Sequence, residues 1–281
     1  MTTLAIFIGL LIVWVGGYYL IYKSDLLKQF RKKAGIFSAI VESELPSVEI
    51  TPTADKSLQL WDSKFGGLPY LPTSQEYPKD SEGEHLHFLA QINFAQMPSI
   101  QPFPKKGILQ FWIANDDLYG LDTDDQTLQD GFRVIFYPQI DNNNLVTNFD
   151  FVEPFENGPL GDNHQHGLRL SFKKRSMPVT FEDFRREKIL RFNSDEGIEA
   201  YIAEYPGDGH RVGGYPTFRQ DDPRSYNSSG YQDKTIMLLQ IDSDPENDIY
   251  WGDGGIAQFF ISEEDLKNKD FSNVLFNWDC S

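Results

Sequence analysis

The chain opens with an apolar run from Leu4 to Tyr22, nineteen residues without a charged side chain. A helix of that length, rising about 1.5 Å per residue, spans roughly 28 Å, close to the hydrocarbon thickness of a bilayer. The pattern predicts a transmembrane anchor over residues 1–23. A cleaved signal peptide is the competing reading. It calls for a basic segment before the apolar run and a small-residue cleavage site, whereas no Lys or Arg precedes Leu4, and Tyr18, Tyr19 and Tyr22 close the run. Lys23, Lys28, Arg31, Lys32 and Lys33 follow, against the single acid Asp25. That collar orients the rest of the chain toward the cytoplasm, with a membrane as partner through residues 4–22. Leu26, Leu27, Phe30, Ile36, Phe37, Ile40 and Val41 then keep helical spacing up to Pro46. Residues 24–56 read as a juxtamembrane helix and a linker, with Ser47 to Lys56 extended.

From residue 57 onward the pattern changes to short apolar or alternating runs between Gly, Pro, Asn and Asp, which predicts strands and tight turns. Gly107 to Ile113, Phe132 to Tyr137, Leu168 to Phe172 and Ile236 to Ile241 are examples. Two segments suit helices: Thr180 to Leu190, behind Pro178, and Ser194 to Tyr205, where Ser194 is placed to cap. The expected class is α+β: a β-rich domain over residues 57–281 plus one N-terminal transmembrane helix. Four blocks recur in order along it. Phe65-Gly66-Gly67-Leu68-Pro69 matches Val212-Gly213-Gly214-Tyr215-Pro216, and Leu89-Ala90-Gln91-Ile92-Asn93 matches Leu238-Leu239-Gln240-Ile241-Asp242. Gly107 to Ile113 matches Gly255 to Ile261, and Asp117-Leu118 matches Asp265-Leu266. The repetition predicts two copies of one unit, about 36–150 and 195–281, packed about a pseudo-twofold around one core.

Charge narrows the function. The chain has 25 Lys and Arg against 42 Asp and Glu, a net charge of -17, and the segment after residue 33 is more acidic still. Such a field repels a polyanion, so a non-specific nucleic-acid binder is excluded. With 40% hydrophobic residues the chain folds rather than remaining disordered. Its single cysteine, Cys280, cannot form an internal disulfide.

Candidate chemistry is sparse. His85-x-His87 and His164-x-His166 are the histidine pairs, and alternate strand residues share a face as a metal site needs, but no cysteine lies near them. Polar strand or loop histidines are the better reading, and His210 reads as structural. Asp242 to Asp248 spaces oxygen ligands like a calcium loop, yet Asn247 stands where glycine is required and Pro245 stiffens the turn, so a solvated hairpin loop is preferred. No metal, cofactor or catalytic residue is therefore assigned, and no Gly-x-Ser-x-Gly elbow occurs. Six residues are candidate binding groups. Trp251 and Asp253, on a glycine-rich turn, could rim a pocket or pack on the core. Gln91 and Gln240 recur at equivalent positions and could also bridge strands. Asp116 and Asp117 open an acidic loop around Leu118-Tyr119-Gly120-Leu121, a partner contact or a solvated loop.

Phe65-Gly66-Gly67-Leu68-Pro69, Phe88 to Phe94, Gly107 to Phe111, Leu239-Gln240-Ile241-Asp242 and Trp251-Gly252-Asp253-Gly254-Gly255 with Phe259-Phe260-Ile261 resemble the YwqG-like family, a bacterial domain of unknown function, over residues 55–281. The resemblance implies an internally duplicated fold and carries over no catalytic residue. Its members are similar in genomic habit to proteins found near polymorphic toxin systems, so the resemblance implies an immunity-like binding role. Since the family is bacterial, the combined expectation is a single-pass module anchored in the inner membrane through residues 4–22, cytoplasm-facing and non-enzymatic, that binds a basic protein. The alternative is a small-ligand-binding or hydrolytic enzyme with its site between the two units.

Overall fold

Short apolar runs closed by glycine, proline and aspartate become ten strands in the computed structural model, which describes residues 35–281 apart from positions 156, 162, 193 and 227. They are β1 (Leu45–Ala54), β2 (Lys64–Phe65), β3 (His87–Asn93), β4 (Ile108–Ile113), β5 (Phe132–Tyr137), β6 (Leu168–Met177), β7 (His210–Gly213), β8 (Ile236–Asp242), β9 (Ile256–Ile261) and β10 (Leu275–Asp279). All belong to one antiparallel sheet in the order β10-β9-β8-β7-β1-β6-β2-β3-β4-β5. That order reads the same outward from the central β1–β6 pair in both directions. Gln91 faces Gln110 across β3 and β4, and Gln240 faces Gln258 across β8 and β9. Each of these pairs carries a register shift at its start, between Phe88 and Ala90 and between Met237 and Leu239.

The sheet curls into a near-barrel whose two ends share one core. Phe111 on β4 meets Phe259 on β9 with ring centroids 4.8 Å apart, and Phe132 meets Phe276 at 5.2 Å. At the rim the backbone N–H of Phe276 donates to the Gln126 carbonyl at 3.0 Å, and the Gln126 amide donates to Asn277 Oδ1 at 2.9 Å. Closing the ends on each other buries both faces of β3, β4, β8 and β9, which accounts for their nearly unbroken apolar runs.

The α+β expectation is corrected to a predominantly β fold made of one continuous sheet. The predicted helix from Thr180 to Leu190 shrinks to Arg186–Ile189. Asp183, instead of solvating a helical first turn, is buried and binds Arg185 and Arg224. Asp195–Glu204 is helical, with the Ser194 hydroxyl accepting from the Gly197 N–H. The stretch Ser47 to Lys56, expected as a linker, is largely β1, the strand at mid-sheet. Pro46 and Pro52 argue against a central strand by sequence rules. They are tolerated because β7 pairs only with Ser47 to Ile50, so neither proline is asked to donate on that side.

No helix among the described residues is long and apolar enough to cross a membrane. The helix Asp195–Glu204 rises only about 15 Å, half a hydrocarbon core. The span expected over residues 4–22 lies outside the described residues. The transmembrane helix and the single-pass inner-membrane localisation are therefore corrected: the described fold supplies no spanning element to support them, and they are not retained.

Candidate functional site

The duplicated glutamines are internal clamps. Gln91 Oε1 accepts from the Tyr70 N–H at 3.0 Å, and its Nε2 donates to the carbonyls of Leu60 and Asp62, both at 2.7 Å. Gln240 repeats this: Oε1 accepts from the Thr217 N–H at 3.0 Å, and Nε2 donates to Gly207 at 2.9 Å and Gly209 at 2.8 Å. Each amide ties the loop before a short strand to the segment after a Gly-Gly turn. All four of those glycines have positive φ, the conformation that favours glycine at such turns. Both glutamine side chains are fully buried and their polar atoms are occupied by the chain itself, so neither faces a ligand.

Trp251 is likewise enclosed, with Tyr119 edge-on at 5.5 Å and Trp278 at 6.2 Å. It is a floor for the 116–121 loop rather than a pocket rim. Asp116 Oδ1 accepts from the backbone N–H groups of Leu118 and Gly120, both at 2.9 Å, and Trp278 Nε1 donates to the Leu118 carbonyl at 2.7 Å. The result is a braced turn that presents Leu118. Asp117 and Asp253 are exposed. The structure thus brings the 116–121 loop onto Trp251 and leaves Gln91 and Gln240 in the interior.

A cleft of about 550 Å³ lies over β1 and β7. Its walls are Ser47 and Glu49 to Pro52 of β1, the end of β6, the loop opening β7 and the turn after β8. Glu49, Asp208, Asp242, Asp244 and Glu246 line it, against the guanidinium groups of Arg175 and Arg211. At its base, His210 Nδ1 accepts from the Asp242 N–H at 3.1 Å, and Nε2 faces Asp244 Oδ2 at 3.4 Å. Burial lowers the His210 pKa, although Asp244 pulls the other way. The ring is therefore neutral with its proton on Nε2. Burial works against the Asp244 charge, but the Asn247 amide and His210 hold that carboxyl below the usual range. Arg219 bridges Asp208 and Asp242, each at 2.7 Å. Arg211 is buried and donates to the Asp208 carbonyl and, at 3.3 Å, to Met177 Sδ. Its cross-strand neighbour is Glu49, whose carboxylate pairs instead with Arg175 at 2.9 Å.

The profile of a domain of unknown function, DUF1963, matches residues 63–280. The chain belongs to the DUF1963 family. No curated protein matches it. The DUF1963 match begins at Ser63, so β1, which builds one wall of the cleft, precedes it in the chain.

In this DUF1963 domain the cleft can hold a cation by its ionised carboxylates. Proton transfer has less to work with, since both ring nitrogens of His210 are engaged. Among the described residues no group of three or more His, Cys, Asp or Glu side chains is arranged to hold a metal ion. Asp244, part of the calcium-like spacing, instead accepts from the Glu246 N–H and the Asn247 amide, closing the turn Pro245–Asn247. His166 sits in the short helix Asn163–His166, not on a strand, and the His164 side chain lies outside the described positions. Sequence reasoning missed Glu49 and Asp208 as cleft residues. The alternation of Val48 and Ile50, both buried, with Glu49 between them is the signal that places Glu49 on the open face.

His87 is buried on β3 against the Phe155 ring, centroids 4.3 Å apart. Burial, helped by His85, lowers its pKa to about 4. Because the folded ring resists the proton, the unfolded chain binds it first as pH falls from about 6.5. Stability from this group is present above that pH and is lost as pH falls through about 4. The expected NMR titration midpoint for the His87 ring is about 4, and a midpoint at the ordinary histidine value would contradict the assignment.

Proposed function

We propose that this chain is a YwqG-like, non-enzymatic protein-binding module that captures a basic protein partner, with neutralisation of a basic toxin as one instance. The observation that carries this reading is the concentration of five carboxylates around one cleft, against the three guanidinium groups of Arg175, Arg211 and Arg219. A lysine or arginine side chain entering between Glu49, Asp244 and Glu246 would exchange water for ionised oxygens. The surrounding charge of -17 would speed the encounter. The braced loop with Leu118 offers a second, apolar contact of the kind found at partner interfaces. The enzyme alternative draws less support, because His210 has no free ring nitrogen to act as a base.

The test compares two variants with the same change in charge. Glu49→Lys with Glu246→Lys alters the cleft, whereas Glu199→Lys with Glu204→Lys alters exposed acids on the helix Asp195–Glu204. A basic protein retained at low salt from the native cell should bind the parent and the helix variant alike, and the cleft variant at least about tenfold more weakly, as expected for loss of a close charge pair. Equal weakening by both variants would show non-specific charge attraction and remove the cleft from the proposal. If no basic protein is retained at all, the capture reading fails.

A further inference from the structure

A second cleft, of about 730 Å³, opens around Lys64 on β2, and its other walls include Lys56, Leu58, Leu60 and Leu68. Lys64 occupies in the first half of the sheet the place that Arg211 occupies in the second. Each cation sits on the short strand directly across from a clamp glutamine, Lys64 opposite Gln91 and Arg211 opposite Gln240. On the other side the two differ. Arg211 faces Glu49 across β1, whereas Lys64 faces Arg169 across β6.

Like charges directly opposite each other destabilise a sheet. Here the acids do not resolve the conflict. Asp55 and Asp62 both pair with Arg169, and none of the described carboxylates pairs with Lys64. The Lys64 side chain is almost fully buried, and its ammonium donates to the carbonyls of Gln59 at 2.9 Å and Leu60 at 3.1 Å. Its third N–H has no acceptor among the described residues. Among the described residues Lys56, Lys64 and Arg169 thus stand against Asp55 and Asp62 at or beside the cleft, with His166 on its wall. With Lys64 protonated, one positive charge is left over among these described groups, in a chain whose net charge is strongly negative. An unpaired buried ammonium is costly and calls for a counter-ion. Leu68, 45% exposed on its Gly-Gly-Leu-Pro turn, places an apolar side chain on the wall of the same cleft.

We infer that the Lys64 cleft binds a monoanionic amphiphile, a carboxylate carrying an alkyl or aryl body, with the carboxylate on Lys64 and the body against Leu58, Leu60 and Leu68. A single excess cation matches a monoanion, and a phosphate dianion would overcharge the site. The volume is within the range of pockets that enclose small organic ligands.

The test is titration of the full chain with octanoate, followed by calorimetry, with octanol and inorganic sulfate as controls. One saturable octanoate site is expected, with octanol and sulfate binding at least tenfold more weakly. Lys64→Met preserves the length of the buried stem and should lower octanoate affinity at least tenfold. Leu68→Ser, at an exposed turn that does not hold the core, should lower it severalfold and keeps the test open if the first variant unfolds. Octanoate affinity unchanged in either variant would overturn the inference. So would octanol binding as tightly as octanoate, or the absence of saturable octanoate binding.

Discussion

Replacing Arg224 by alanine is expected to lower the unfolding free energy by about 3–5 kcal/mol, the cost typical of breaking a buried ion pair from one side. Arg224 has no exposed surface. Its Nε and Nη2 engage Asp222 at 2.9 and 2.7 Å, Nη2 also reaches Asp183 at 3.1 Å, and Nη1 donates to the Lys234 carbonyl at 3.2 Å. The guanidinium lies over the Phe260 ring at 4.1 Å and near that of Phe184 at 4.9 Å. Burial works against the Asp183 charge, and Arg185 and Arg224 overcome it and hold the carboxyl below the usual range. Without Arg224, Asp222 becomes a buried carboxylate without its cation, and the segment around Asp183 loses its tie to β9 through Phe260. The double change Arg224→Ala with Asp222→Asn removes both charges and should cost clearly less than the sum of the single changes. Urea unfolding of the parent, both single variants and the double variant measures this. Strict additivity, or a loss below about 1 kcal/mol for Arg224→Ala, would show that the network does not hold the fold.

Raising the pH from 7 toward 10 is expected to stabilise the ligand-free protein through Lys64. Burial is the main cause that lowers the Lys64 pKa from 10.5 to about 7; Asp62 opposes it and Arg169 adds to it. Between those values the unfolded chain holds the proton and the folded one does not, so stability rises with pH across the window and is lost as pH falls toward 7. Full conversion of such a shift gives about 4 to 5 kcal/mol, and the two carbonyls that accept from the ammonium bring the expected gain nearer to about 3 kcal/mol. Burial raises the pKa of Tyr77 and raises that of Tyr137 to about 12, so both tyrosines cost stability only above their ordinary value near 10. Lys64→Met should flatten the rise and increase stability at pH 7. A parent profile as flat as that of the variant would show that the amine is charged throughout.

Much of the strand pattern was legible because it is local. Gly107 to Ile113, Phe132 to Tyr137 and Ile236 to Ile241 are apolar runs ended by turn residues, and each is a strand. Ser194 followed by Asp195 and Glu196 announces its helix by capping chemistry, and that helix forms. The recurring glutamines were visible as a repeat, yet their choice between ligand and scaffold depends on loop carbonyls about thirty residues away. Trp251 could not be told from a pocket rim, because its enclosure comes from Tyr119 and Trp278. Glu49 was hidden inside a stretch that its flanking prolines made look like a linker.

By itself the sequence determined the repeated turn-and-strand blocks, the glycines that their positive φ requires and the acidic balance, since each depends only on neighbouring residues or on summed charge. Tertiary structure alone decided that β1 lies at mid-sheet and that five separated carboxylates surround one cleft. It also decided that Lys64 faces Arg169 while Arg211 faces Glu49. Those outcomes turn on strand pairing between distant segments and on the removal of water from particular charges, and desolvation is a property of the assembled fold that no stretch of sequence carries alone.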